Sequence, residues 1–199
     1  VACVASALGL LTSMNAPAAS IAAWDLTGSN SVAFATATAF DTRLATAPTL
    51  IRGTGAATST GANSFRTQGF QNNGISTANT DYFEATLAAG SGYALSLSTI
   101  DARFAGTATF AASPGVSAQF AYSLDGANFT LIGSPFALIG SPATNSQIAL
   151  AGISALQNVP AGTTITIRYY ASGQTTTGGW GFHSPSAGAY ALDFGGTLD

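Results

Sequence analysis

The chain predicts an all-β fold: an antiparallel β-sandwich over residues 20–199, preceded by an apolar, signal-like segment over residues 1–19. Three observations predict it. Short runs alternate apolar with small or polar residues, the period of a strand with one buried face. Turn residues punctuate these runs at roughly 8–15 residue spacing, as in sandwiches. No helical period follows the N-terminal segment, and no fixed repeat suggests a solenoid.

Ser20-Ile21-Ala22-Ala23-Trp24-Asp25-Leu26-Thr27 reads as the opening strand, closed by Gly28-Ser29-Asn30. Residues 32–40 alternate Ala with Thr or Phe. Residues 53–80 are rich in Gly, Thr, Ser and Asn and read as a long connection, pinned by Phe65 and Phe70. Tyr82-Phe83-Glu84-Ala85-Thr86-Leu87 alternates, and Tyr93 to Ile100 puts larger residues on one face. Arg103 to Phe110 reads as a separate strand. Ser117 to Ser123 leads through Leu124-Asp125-Gly126 into Asn128 to Ile132, and Asp-Gly between such runs predicts a hairpin because the turn needs positive φ. Ser146 to Leu150 reads as a strand and residues 156–161 as a turn. Thr163 to Tyr170, β-branched and alternating, is the strongest strand signal in the chain. Gly179 to His183 and Ala189 to Leu198 complete about ten to twelve strands.

Residues 1–19 carry no charge and end in Ala16-Pro17-Ala18, a small-x-small pattern like a secretory cleavage site. Two readings fit: a signal peptide that is removed, or a retained segment buried against a second subunit. Pro17 and the polar Ser6, Thr12, Ser13 and Asn15 make it a poor membrane span.

Charge is scarce. Five Arg, no Lys and eight acids give a net charge of −3, at 7% charged residues against about 25% in an average globular chain. Nucleic acid is excluded as a partner, since phosphate binding needs clustered Lys and Arg. The single cysteine, Cys3, allows no internal disulfide. The rest of the surface is hydroxyl and amide, poorly protected against self-association through strand edges or the N-terminal segment.

Several motifs then line up in order. They are Ala22-Ala23-Trp24-Asp25-Leu26, the Tyr82 run followed by Gly92-Tyr93-Ala94-Leu95-Ser96-Leu97-Ser98, and Tyr122-Ser123-Leu124-Asp125-Gly126 with Phe129. Ile165-Thr166-Ile167-Arg168-Tyr169-Tyr170 follows, and the close is Leu192-Asp193-Phe194-Gly195-Gly196-Thr197-Leu198. Over residues 21–198 this order resembles secreted bacterial β-sandwich domains of surface proteins that carry PEP-CTERM sorting tails. The resemblance implies a jelly-roll-like sandwich and export from a Gram-negative cell to its surface or surroundings. It brings no shared catalytic residues.

Chemistry-bearing residues are few. His183 would need an orienting carboxylate to act as a base, and Asp193 is the nearest in sequence. No Gly-x-Ser-x-Gly elbow is present. A glycosidase needs two carboxylates about 5–10 Å apart, for which Glu84 with Asp101 or Asp193 is the pair to consider. Acids beside arginines are more often ion pairs, and Arg103 or Arg168 with Glu84 or Asp101 is expected to fix sheet register. Calcium would draw on the oxygen-rich loops 25–30 and 79–81, but no Asp-x-Asp pattern accompanies them, so no metal site or cofactor is expected. Aromatic faces stack on sugars, and Trp180 between glycines, with Tyr169, Tyr170 and Phe182, is the candidate glycan platform. The expectation is a non-catalytic exported cell-surface or extracellular-matrix structural protein, suited to self-assembly into filaments or layers. The alternative is a carbohydrate-binding module taking polysaccharide.

Overall fold

Alternation places its predicted faces. In Tyr82–Ala88, Phe83, Ala85 and Leu87 are buried and Tyr82, Glu84 and Thr86 point outward. The same pattern recurs through a computed structural model that describes residues 19–72, 74–113 and 115–199. The expectations for residues 1–18 lie outside these.

The described residues form an all-β sandwich of two antiparallel sheets. In chain order the strands are β1 (Ser20–Trp24), β2 (Ala35–Thr36), β3 (Ala39–Phe40), β4 (Thr49–Arg52), β5 (Thr58–Ser59) and β6 (Ser64–Thr67). Next come β7 (Tyr82–Ala88), β8 (Ala94–Gly106), β9 (Val116–Ser123), β10 (Thr130–Leu131), β11 (Phe136–Leu138) and β12 (Ala143–Thr144). The last are β13 (Ile148–Ala149), β14 (Val159–Pro160), β15 (Thr164–Ser172), β16 (Trp180–His183) and β17 (Leu192–Leu198). The ten-stranded sheet runs β3-β1-β17-β8-β16-β6-β5, with β12, β13 and β14 also on β8. The seven-stranded sheet runs β10-β9-β15-β7-β4-β2, with β11 on β9.

Three elements differ from the sequence reading. The two runs around residues 93–110 are one thirteen-residue strand, β8, because it is paired on both sides along its length. Phe104 faces both Phe182 and Ala143, and Ile100 faces both Phe194 and Ile148. The connection over residues 53–80 contains β5 and β6. Ser64-Phe65-Arg66-Thr67 is too short and polar to read as a strand, but pairing with β16 makes it one. The turn near residue 160 likewise contributes β14, opposite Leu95 and Ala94. The Asp125-Gly126 hairpin forms as read: β9 and β10 pair with Tyr122 opposite Thr130, and Gly126 has φ +72°.

One cluster of buried side chains fills the space between the sheets, centred on Phe65, Phe70, Phe83, Phe104, Phe120, Tyr169, Trp180 and Phe182. At one side of the sandwich Arg52 of β4 joins the two sheets. Its guanidinium lies 3.5 Å from the centre of the Phe65 ring and donates to the carbonyls of Val32 at 2.6 Å, Ala33 at 3.0 Å and Arg66 at 3.0 Å. Burial without a carboxylate partner pulls its pKa down to about 10.

Candidate functional site

The aromatic platform predicted on Trp180, Tyr169, Tyr170 and Phe182 does not form. All four side chains are 0–1% exposed. Trp180 stacks between Phe104 and Phe110 at ring-centroid distances of 5.5 and 4.6 Å, and its Nε1 donates to the Tyr169 hydroxyl at 3.0 Å. Burial in turn pushes the Tyr169 phenol up from its ordinary value. Tyr170 points away from the core but is fully buried, and its hydroxyl donates to the Thr77 carbonyl at 3.3 Å. The glycines beside Trp180 do not expose it. A Cβ on Gly181 would strike the Phe65 carbonyl, so this glycine lets β6 and β16 approach closely.

The carboxylate pair considered, and disfavoured, across Glu84 and Asp101 or Asp193 is not built. Glu84 lies on the outer face of the seven-stranded sheet, whereas Asp101 and Asp193 lie on the outer face of the other. Glu84 accepts from Arg168 Nε at 2.7 Å, directly across strands, which is the register-fixing pair expected. The Arg168 guanidinium sits between the Tyr82 and Phe129 rings, 3.7 Å from each centroid. Among the described residues Arg103 makes no such pair. It donates to the Tyr190 carbonyl at 2.6 Å, while Asp101 accepts from the Gln147 amide at 2.8 Å.

Among the described residues His183 has no carboxylate orienter. Its Nδ1 lies 3.1 Å from the Asn63 carbonyl, which can only accept, so Nδ1 carries the proton. Ser64 Oγ is 3.0 Å from the same nitrogen but donates to the Ala62 carbonyl, and Ser64 is buried. This is therefore no Ser–His nucleophile pair. Burial, then the charge of Arg66, hold the imidazole below its ordinary 6.5. Asp25, from one loop considered for calcium, spends both oxygens on the backbone N–H groups of Thr27 and Gly188. Among the described residues no three His, Cys, Asp or Glu side chains gather as metal ligands. Among them, too, no helix is long and apolar enough to cross a membrane.

What the fold does bring together is a polar row across the outer face of the ten-stranded sheet. Ser64 of β6 is opposite His183 of β16, and Thr144 of β12 is opposite Arg103 of β8. A pocket of about 170 Å³ is lined by Arg103, Thr144 and His183, with Pro142, Ala143 and Pro185 as apolar walls. One row further along, Asp193 is directly opposite Asp101. Burial raises the Asp193 pKa; the Ser20 hydroxyl, donating at 2.6 Å, opposes this, and the Asp101 charge adds to it. Beyond Thr144 lies a wider groove of about 430 Å³ at the sandwich edge, between β11 and the β12–β13 segment. Its amides and hydroxyls come from Ser134, Asn145, Ser146 and Gln147, and its apolar surface from Ile132, Phe136, Leu138 and Ile148.

Sequence reasoning missed this groove. Its signal was the hydroxyl-and-amide stretch Ser141-Pro142-Ala143-Thr144-Asn145-Ser146-Gln147 between two apolar runs, which reads as an ordinary loop. No protein-family model matches the chain, and no curated protein is similar to it in sequence.

Proposed function

We propose that this chain is a non-catalytic, exported surface or matrix protein that works by contact, including contact with copies of itself. The observation that carries this reading is a pair of exposed apolar side chains at the β2 edge of the seven-stranded sheet. Ala35 pairs with Leu50, so Phe34 stands opposite Ile51, and both face outward at 61% and 41% exposure. Separately, Phe40 on β3, an edge strand of the other sheet, is 41% exposed. Large apolar side chains grouped on a surface with little charge favour association. The edge strands β2, β3, β5 and β10 offer two residues each, so side-chain burial rather than a long backbone ladder drives the contact. Sedimentation velocity over a concentration series, with electron microscopy of the concentrated sample, tests it. Association that weakens in Phe34→Ser/Ile51→Ser supports the reading; a monomer at every concentration, or association indifferent to both substitutions, removes it.

The edge groove favours a second reading, a carbohydrate-binding module. Amides and hydroxyls beside apolar surface suit a sugar chain. A glycan array whose hits are lost in Asn145→Ala/Gln147→Ala supports this; an array without hits removes it.

A further inference from the structure

We infer that the pocket over the ten-stranded sheet binds a sugar acid, a ligand carrying a carboxylate beside hydroxyl groups. The inference deepens the carbohydrate reading by naming an acidic class, and it does not require the groove.

Three groups converge on the pocket. Arg103 is anchored by one Nη1 hydrogen bond to the Tyr190 carbonyl, which fixes the guanidinium without neutralising it. Among the described residues no carboxylate oxygen lies within 4.0 Å of it. An arginine has five N–H donors in a rigid fork, so the remaining ones are available to a carboxylate. On the next strand, His183 has its Nδ1 proton committed to the Asn63 carbonyl. In the neutral ring Nε2 is therefore an acceptor, and it makes no hydrogen bond to the described residues. The third group, the Thr144 hydroxyl, stands across the register from Arg103 and is exposed.

The pocket thus presents a fork of donors, a fixed acceptor and a hydroxyl. A simple anion satisfies the fork but gives Nε2 no proton to accept; a neutral sugar satisfies Nε2 but leaves the guanidinium unpaired. A sugar acid satisfies both. At about 30 Å³ per water the volume is that of roughly six waters, enough for one pyranose ring. Pro142, Ala143 and Pro185 meet its C–H surface. The other charges on this face are Arg66 of β6, two residues along from Ser64, and Asp101 and Asp193 one row away. Arg66 adds to the attraction, whereas the two acids confine it to the immediate reach of Arg103.

Isothermal titration with galacturonic acid, galactose and a galacturonic acid trimer tests the pocket. The expected result is galacturonic acid binding at least tenfold tighter than galactose, with a shift of the His183 Nε2 resonance. Arg103→Gln should lower affinity at least tenfold. Because Arg103 also holds Tyr190, Thr144→Val on exposed β12 is the second variant: it should weaken binding several-fold with an unchanged melting temperature. A trimer that binds much tighter extends the site along the groove past Thr144, and equal affinity confines it to one sugar acid; both outcomes support the pocket. Equal binding of galactose, or binding indifferent to Arg103→Gln and Thr144→Val, overturns it. A neutral oligosaccharide that binds both variants as it does the wild type, with no preference of the protein for galacturonic acid over galactose, would uphold the groove and overturn the pocket.

Discussion

Arg168→Met is the substitution with the clearest expected cost. It removes the guanidinium that meets Glu84 at 2.7 Å and the Tyr82 and Tyr170 hydroxyls at 3.0 and 3.3 Å. Glu84 would then sit unpaired on a strand where its side chain is 14% exposed. Breaking a fully buried pair from one side costs about 3–5 kcal/mol. Here the remaining solvent access returns part of that, leaving about 2–3 kcal/mol. Two lost cation–π contacts add about 0.5–1 kcal/mol in all, since the Met thioether keeps some contact with the rings. The sum is about 3 kcal/mol, or a melting temperature lower by about 6–12 °C in a domain of this size. Glu84→Met alone leaves the cation its two phenols and two rings, and should cost about 1–2 kcal/mol. In Arg168→Met/Glu84→Met no charge is stranded, so the double variant should lie about 2 kcal/mol closer to wild type than the singles add up to. Urea denaturation followed by fluorescence of the buried tryptophans measures all four proteins. A loss under about 0.5 kcal/mol for Arg168→Met, or strict additivity in the cycle, would refute the claim that this pair is held together by its shielding from water.

Three further outcomes are expected. Trp180→Ala should cost about 3–5 kcal/mol and erase the near-ultraviolet dichroism, because it opens a cavity between Phe104 and Phe110; wild-type stability would show that the ring is not packed there. Burial holds the folded Asp193 carboxyl above its ordinary value of 3.8, so the native state keeps the extra proton and stability falls as pH rises through the window above 3.8. Thermal melts should therefore show Asp193→Asn gaining on wild type as pH rises above 3.8, and a constant difference would count against it. Asp125 has the opposite sign. The side chain and backbone N–H of Asn128, the Ala127 N–H and the Ser123 hydroxyl hold its carboxyl down. Its contribution to the hairpin loop is therefore present above 3.8 and lost as pH falls below it. Amide exchange at Ala127 and Asn128 should accelerate on acidification in wild type and be pH-insensitive, beyond intrinsic chemistry, in Asp125→Asn.

The strands that were legible are those whose local pattern and tertiary role agree. Thr164–Ser172 alternates and is β-branched, and it became the central strand between β7 and β9. Asp125-Gly126 specified its hairpin because the positive φ is a local demand. Short strands such as Ser64–Thr67 were not legible, since four mixed residues become a strand only when a long-range partner supplies the ladder. The candidate site follows the same rule. His183 was visible as a lone titratable group, but its neighbours Arg103 and Thr144 lie about 80 and 39 positions away in sequence, and only sheet register joins them.

The sequence by itself determined the all-β class and a chain nearly free of charge. Alternation with period two and the turn demands of Gly are local properties, readable without partners. The tertiary structure decided which aromatic rings are covered. Trp180 between two glycines looks exposed in one dimension, yet Gly181 admits β6 to close contact and the sheets close over the ring. It also decided that the polar groups able to meet a ligand come from three separate strands of one sheet, because cross-strand neighbours are set by register across the fold and not by distance along the chain.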